Sequence, residues 1–478
     1  VSDWNNYKFR VACPEMGVLV SNNLPRSAAN DKNGISAFGG KGRHSGLYPD
    51  PNLPAIGNAY LFSMNEDAPC HNRYGKIASE IFPTSADEVK AMHGALKWCV
   101  KESCQGKTWG KVPSHRLGTR NGKKIQIQDL LITYLEEKPQ SAIDLASTFT
   151  TFDTTEDEIG EAVYEKMTAK VCDALKGESG LTKDSKANIL VITKVDKGRA
   201  QVVLSGAYSI ENIIRSIEQW QIAAKNRPHF SIFLPGKKGE KAKVVEPFCP
   251  SPAEIMRCLQ NQWIKKGIDS RKVSGVALRH VYELFLGNER ILQETARMFL
   301  QLTLQRLGPL FIGITKVNHG GDVKDFKLEA RKSVLVGISL LAIVLYKLGI
   351  KKEDYMRNTA FSVGRLLALA DGLHAQYCML QMKRKGGDLP PQLIGNAHLP
   401  IAFDSPNKAL ALLGERLRIY YAWATKVQGD EYKLVKWMLG EMGKLSAEME
   451  NVAWPSMADD AVKAQVLLGY LARYKSEE

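Results

Sequence analysis

The segment Val334 to Tyr346 (VLVGISLLAIVLY) is apolar on every face, so a chain containing it must either cross a membrane with it or pack other elements around it. At about 1.5 Å per residue such a helix spans roughly 20 Å, short of a bilayer core of about 30 Å. Arg331, Lys332 and Lys347 bracket the run. It reads as a buried core helix, and no membrane partner is expected. With 478 residues, the chain has length enough for two to four domains around more than one core.

The sequence on either side of Pro250 differs in character. Beyond it the apolar spacing is helical almost to the end. Pro252 opens a first helix where proline is tolerated. Helices are predicted over 252–266, 272–306, 326–348, 353–385, 405–427, 430–450 and 457–475. Breaks are expected at Gly267, Gly308-Pro309, Gly349, Gly386-Gly387 and Trp454-Pro455. Before Pro250 the elements alternate. Ser85 and Glu88 form a capping box for a helix to Cys99, with Val89, Met92, Leu96 and Cys99 as its buried stripe. Lys124 to Gln128 and Asp129 to Leu135 are strand-like, and a helix near Glu156 to Leu175 follows. Ala187 to Val195 and Gly198 to Gly206 read as a hairpin about Asp196 and Lys197. Ser209 to Ala224 is a helix stacking Ile213, Ile217, Trp220 and Ala224. The expected fold class is α+β: an irregular mixed α/β N-terminal domain over 1–250, a helical connector over 251–322 and a C-terminal α-helical bundle over 323–478.

The formal net charge is +14 and the isoelectric point about 9.2, a bias that favours a polyanion partner because each neutralised phosphate releases counterions. Many cations sit in Gly/Asn/Pro-rich stretches that cannot be helix faces: Arg26 to Arg43, Lys107 to Lys124 and Lys237 to Lys243. The middle one, GKTWGKVPSHRLGTRNGKK, contains no acid and reads as a phosphate-binding loop. Candidate nucleic-acid backbone contacts are Lys107, Lys111, Arg116, Arg120, Lys123, Lys124, Lys237 and Lys238. In the helical part they are Arg357, Arg365, Lys383, Arg384, Lys408, Arg416 and Arg418. Lys383 to Lys385 also close a helix C-terminus, where cations are favourable in any case. In Ser21 to His44 the residues Asn22, Asn23, Arg26, Asn30, Lys32, Asn33, Lys41 and Arg43 form a pool suited to DNA-motif contacts in a minor groove. A solvated loop fits that stretch equally well.

Catalytic signatures are scarce. Gly34 to Lys41 (GISAFGGK) approaches a P-loop, but its lysine is one place late and the hydroxyl that would hold Mg²⁺ is missing. No GxSxG, HExxH or GxGxxG motif occurs. Asp153, Glu156, Asp157 and Glu158 fit the start of a helix capped by Thr154 or Thr155 better than a metal site. His319 falls in a loop, and His374 lies inside a helix as a packed residue. The eight cysteines are scattered, and Cys99 with Cys104, or Cys70 beside His71, lack zinc-site spacing. Reduced thiols in a cytoplasm are expected. Catalytic residues, metal ligands and cofactors are each expected to be none.

Three segments carry a family resemblance. Phe361 to Gln381 (FSVGRLLALADGLHAQYCMLQ) resembles the "LLGRLFAVLE…Q" helix of the type I-C CRISPR Cascade large subunit. Ser405 to Val427 (SPNKALALLGERLRIYYAWATKV) is similar to its later Leu-rich helix. Gly198 to Trp220 (GRAQVVLSGAYSIENIIRSIEQW) looks like its GR-strand and the helix ending in Trp. The family's "SFN…YG…N.P" stretch is only echoed, in Ile35 to Gly40 and Pro49 to Pro54. The resemblance implies a non-catalytic subunit in a prokaryotic cytoplasm. Its N-terminal domain would sense the protospacer-adjacent motif in target double-stranded DNA and promote R-loop formation. Its helical bundle would resemble the small subunit. The implied partners are guide RNA (crRNA), the backbone and 5′-handle-binding subunits, small subunits and the recruited helicase–nuclease. A separate small subunit could arise from an internal start, with Met356 or Met298 as candidates. Two other readings stand beside this one: a Mg²⁺-dependent nuclease using Asp153 and Glu156, and a basic helical adaptor for an acidic protein.

Overall fold

The computed structural model describes residues 33–43, 51–58, 83–150, 162–196, 199–234, 243–287, 289–318, 326–382, 390, 392–450, 452 and 458–473. The chain divides into two compact units, Val1–Lys101 with Lys194–Gln201, and Glu102–Thr193 with Val202–Glu478. The fold is α+β, with small sheets towards the front and helices over the C-terminal half.

In the smaller unit, β1 (Asn33–Ile35) and β2 (Lys41–Arg43) pair antiparallel around the turn 36–40. β3 (Asn52–Leu53) and β4 (Gly57–Asn58) make a second, shorter hairpin. Helix α1 (Ala86–Cys99) begins with the expected capping box: the Glu88 amide donates to Ser85 Oγ (3.3 Å), and the Ser85 amide donates to Glu88 Oε2 (2.8 Å). The same carboxylate oxygen accepts the Ser36 hydroxyl at 2.6 Å, and the Ala37 amide donates to the Pro83 carbonyl at 2.7 Å. The first hairpin is thereby tied to the helix start. Of the expected stripe only Val89 is buried; Met92, Leu96 and Cys99 are partly exposed.

The larger unit opens with β5 (Trp109–Arg120) and β6 (Lys123–Leu135), followed by α2 (Val163–Gly177), β7 (Lys186–Lys194), β8 (Ala200–Ser209) and α3 (Ile210–Ala224). The four strands form one sheet in the order β5-β6-β7-β8. Lys124–Leu135, read as two strand-like pieces, is one strand. Leu130, Leu131 and Ile132 are all buried, as a central strand with both faces covered must be. Ser209 caps α3 through the Asn212 amide, and Ile213, Ile217, Trp220 and Ala224 line its buried face. Trp220 is fully buried and donates its indole N–H to the Pro250 carbonyl at 2.9 Å. Two short strands, β9 (Ile232–Leu234) and β10 (Lys243–Val245), pair antiparallel.

Beyond Pro250 come α4 (Pro252–Leu259), β11 (Asn261–Ile264), β12 (Asp269–Lys272), α5 (Leu278–Leu286), α6 (Glu289–Asn318) and α7 (Leu328–Lys347). Then follow α8 (Lys352–Tyr355), α9 (Thr359–Tyr377, continued as a π-turn through Met382), α10 (Ile394–Asp404), α11 (Pro406–Lys426), α12 (Lys433–Met449) and α13 (Asp460–Leu471). Five expectations change here. The single helix expected over 353–385 is two, α8 and α9, parted by a turn at Met356 to Asn358. The helix predicted over 252–266 stops at Leu259, and β11 pairs with β12 through a turn in which Lys265, Lys266 and Gly267 all have positive φ. The single helix over 272–306 is two helices, α5 and α6. The break expected at Gly308-Pro309 does not occur, because Leu300, Leu307, Phe311 and Ile314 are buried at helical spacing on both sides of the proline. The helix α10 has no counterpart among the expected elements.

The apolar run forms the centre of α7, with Ser333 to Leu345 buried throughout, packed against α3, α4 and α6. Among the described residues no helix is long and apolar enough to cross a membrane. Arg331 is fully buried in its first turns, donating Nε to the Phe326 carbonyl at 3.1 Å and a terminal nitrogen to the Phe233 carbonyl. Helices α9 and α13 cross with their backbones in contact. A Cβ on Gly364 would lie 2.0 Å from the Val466 carbonyl oxygen, and one on Gly469 2.1 Å from that of Phe361.

Candidate nucleic-acid interface

The acid-free stretch Lys107–Lys124, expected as a loop, is a β-hairpin. β5 and β6 pair from Trp109↔Ile132 to Pro113↔Gln128 and, after a shift in register, from Leu117↔Gln126 to Arg120↔Lys123. β7 takes up Leu130 to Leu135 of β6. Past that edge β5 and β6 continue as a two-stranded ribbon. Its tip is Asn121-Gly122, with φ of 51° and 72°, the doubly left-handed turn whose twist matches paired strands.

Thr119 to Lys124 are all exposed. Arg120 stands directly across from Lys123, and Thr119 across from Lys124, so the tip carries cations on both faces. Like charges directly opposed on a ribbon are unfavourable on their own and become favourable when a phosphate lies between them. At about 3.3 Å per residue the four residues Leu117–Arg120 reach about 10 Å, with strands about 4.8 Å apart. That outline fits a major groove about 12 Å wide and 8.5 Å deep, which admits a two-stranded ribbon.

The root of the ribbon is fixed. Gln260, at the end of α4, accepts from the Gln126 side-chain amide and donates to the Ser114 carbonyl. The Gly275 amide donates to the His115 carbonyl at 2.8 Å, and the Arg116 amide donates to Ser114 Oγ at 3.4 Å. Below this, Asp129 is buried and accepts the Thr193 hydroxyl at 2.6 Å. Burial pushes its carboxyl above the ordinary range, opposed by that hydroxyl. The cations therefore project from a mount rather than a free loop.

Of the residues singled out in the sequence, Arg116, Arg120, Lys123 and Lys124 come together on the ribbon. Lys111 is exposed nearer the start of β5, and Lys107 precedes it, half-buried. Asn33 and Arg43 are register partners in the β1–β2 hairpin, with Lys41 opposite Ile35; Ile35 and Phe38 of this hairpin are exposed. Arg357 is exposed in the turn before α9. Lys408, Arg416 and Arg418 are exposed on α11, beside exposed Ile419 and Tyr421. Arg365, expected as a backbone contact, is instead buried and donates to the Ala472 carbonyl at the end of α13. Asn22, Asn23, Arg26, Asn30, Lys32, Lys237, Lys238, Lys383 and Arg384 lie outside the described residues, as do Asp153, Glu156 and His319. His374 packs its ring on Tyr420, 4.6 Å between centroids, and burial lowers its basicity. Among the described residues no group of three or more His, Cys, Asp or Glu side chains is placed to hold a metal ion.

The expectation of a loop misses this hairpin, although a signal for it is present in the sequence. An Asn-Gly pair between Arg120 and Lys123, flanked by Leu117, Ile125 and Ile127, is the strongest short-range hairpin signal. No protein-family model matches the chain, and no curated protein matches it.

Proposed function

We propose that this chain is a non-catalytic nucleic-acid-binding protein that uses the β5–β6 ribbon to engage a duplex. On the resemblance of its three segments, we assign it the role of large subunit in an RNA-guided type I CRISPR surveillance complex. The observation that carries the reading is the ribbon: Arg116, Arg120, Lys123 and Lys124 on a fixed mount, with no carboxylate between Lys107 and Lys124. Guide pairing supplies sequence in such a complex, so the protein needs backbone cations and a short-motif reader, not a long recognition surface. The β1–β2 hairpin, with Asn33, Lys41 and Arg43, is the described part of the motif-reading pool. The exposed cations of α11, with Ile419 and Tyr421 beside them, suit a separated strand.

The test is recovery of the tagged chain from its native host, with mass spectrometry and RNA sequencing of what accompanies it. CRISPR backbone subunits with a uniform guide carrying a fixed 5′ handle are expected. A solitary protein, or one with assorted cellular RNA, would sink the surveillance-complex assignment and leave a basic nucleic-acid binder.

A further inference from the structure

A cavity of about 340 Å³ opens between α9, α12 and α13, within the range of about 300–1,000 Å³ typical of small-molecule sites. Its walls are apolar and partly exposed: Met379 on the π-turn, and Leu434 and Trp437 on α12, are 38%, 49% and 41% exposed. The π-turn matters because such turns concentrate at functional sites. Five polar side chains contribute to these walls, of which Thr315 and Tyr470 are engaged with Asn396 and with each other, and Tyr470 also with Asp371. Gln376 makes no hydrogen bond among the described residues. Arg365 donates to the Ala472 carbonyl. Arg473 lies with its guanidinium carbon 5.2 Å from the Phe233 ring centroid, and no described carboxylate pairs with it. Among the described lining residues there is no Asp or Glu.

An apolar slot with an aromatic wall, an amide and the Arg473 guanidinium, Arg365 being taken up by the Ala472 carbonyl, and with no acid in its lining, is complementary to a flat apolar body bearing a negative charge. We propose that this cavity holds one nucleotide of a single-stranded nucleic acid, its base against Trp437 and Met379, its edge on Gln376 and its phosphate on Arg473. The inference rests on the nucleic-acid reading above and narrows it. A base can enter such a slot only once unstacked, so the site selects single strands over duplex. Stacking on an aromatic wall tolerates every base, and Gln376, as both donor and acceptor, adds only a modest preference. Desolvation lowers the Arg473 pKa, a burial cost that a phosphate at its guanidinium would offset.

The experiment is fluorescence anisotropy of the full chain with an oligothymidylate of about 12 nucleotides, and separately with a duplex, across a salt series. Trp437→Ala is expected to lower single-strand affinity about tenfold with the salt slope unchanged, and Trp437→Phe to restore most of it. Arg473→Gln is expected to lower affinity and to shallow the slope by about 0.7, the contribution of one single-strand phosphate. Duplex affinity should move in neither case, and thermal melting should show both variants folded. Single-strand binding by the wild type that both folded variants retain in full would overturn the inference and leave the duplex reading standing, as would wild-type binding to duplex alone. Displacement of the oligonucleotide by an acidic Leu-rich peptide but not by thymidine 5′-monophosphate would give the cavity to a protein partner and also overturn it. Absence of binding to either nucleic acid would overturn the broader reading and the inference together.

Discussion

Asp371 on α9 caps the first turn of α10 from outside: its Oδ1 accepts the Gly395 amide at 2.6 Å and the Asn396 amide at 3.1 Å. Its other oxygen accepts the Tyr470 hydroxyl from α13. Asn396 returns the connection, donating its side-chain amide to the Ile312 carbonyl at 3.0 Å, to Thr315 and to Tyr470. One buried carboxyl thus helps to join α6, α9, α10 and α13.

Burial raises the Asp371 pKa to about 6, against the hydrogen bonds from Tyr470, Asn396 and Gly395 that favour its ionised form. The folded state therefore holds a proton that the unfolded chain releases near pH 4, so this group's contribution to stability falls as pH rises between about 4 and 6. The loss amounts to about 3 kcal/mol and is complete above the folded pKa. In Asp371→Asn this part of the pH dependence should vanish in urea titrations between those limits. Asp371→Ala should also lose this pH dependence, and below about pH 4 it should be less stable than the wild type by about 2 kcal/mol or more, because it leaves two buried amides without an acceptor. Equal pH profiles for wild type and the Asn variant would refute the assignment.

The α9–α13 crossing has no room for a methyl group. Gly364→Ala and Gly469→Ala would each force a side chain into a carbonyl oxygen of the facing helix. Each should cost roughly 1–3 kcal/mol and lower the melting temperature. Gly440→Ala, on α12 with nothing within 4 Å of its added Cβ, should be neutral or slightly stabilising in the same melts.

Replacing Arg120, Lys123 and Lys124 together by alanine should reduce the slope of log affinity against log salt for duplex DNA by about 0.9 for each phosphate that is no longer neutralised. Their side chains are exposed, and the Arg120–Lys123 opposition is relieved, so the melting temperature should not fall. An unchanged salt slope would remove the ribbon from the interface.

Ser36→Ala should release the first hairpin from α1. The Glu88 carboxyl is held below its ordinary range by the Ser36 hydroxyl first and the Ser85 amide second. A group with a depressed folded pKa stabilises above its unfolded value and loses that contribution as pH falls through the folded one. The protection factors of the amides at positions 36 and 37, exchange rates measured against the intrinsic rate at each pH, should therefore fall in Ser36→Ala near neutrality, and in the wild type only on acidification. Protection that survives both would show that the Ala37–Pro83 bond holds the hairpin alone.

The elements legible in the sequence are those written locally. The Ser85–Glu88 box, the Ser209 and Pro252 helix starts, the apolar run of α7 and the stripe of α3 each need only neighbours in the chain. What escapes a sequence reading depends on distant partners. α10 has Leu393 at its cap position and Pro400 inside it, and its cap comes from Asp371 on another helix. β11 hides in apolar spacing that continues α4, until the positive φ of Lys265 and Lys266 turns the chain. Arg365 resembles a surface cation because charge in a sequence does not reveal that its target is the Ala472 carbonyl. In the ribbon, the residue types are plain and their geometry is not: glycine and asparagine singly suggest a loop, whereas as a pair they close a hairpin.

The helix α7 has a further consequence for how the chain is made. Its most extensive packing partners, α6, α3 and α4, precede it in the sequence, and a smaller contact, with α13, follows it. A nascent chain emerging N-terminus first has already delivered those three when Val334 to Tyr346 leaves the ribosome. The segment most prone to aggregate is thus exposed to other nascent chains only briefly. A circular permutant starting at α7 would forgo that protection even though its folded core kept every packing partner.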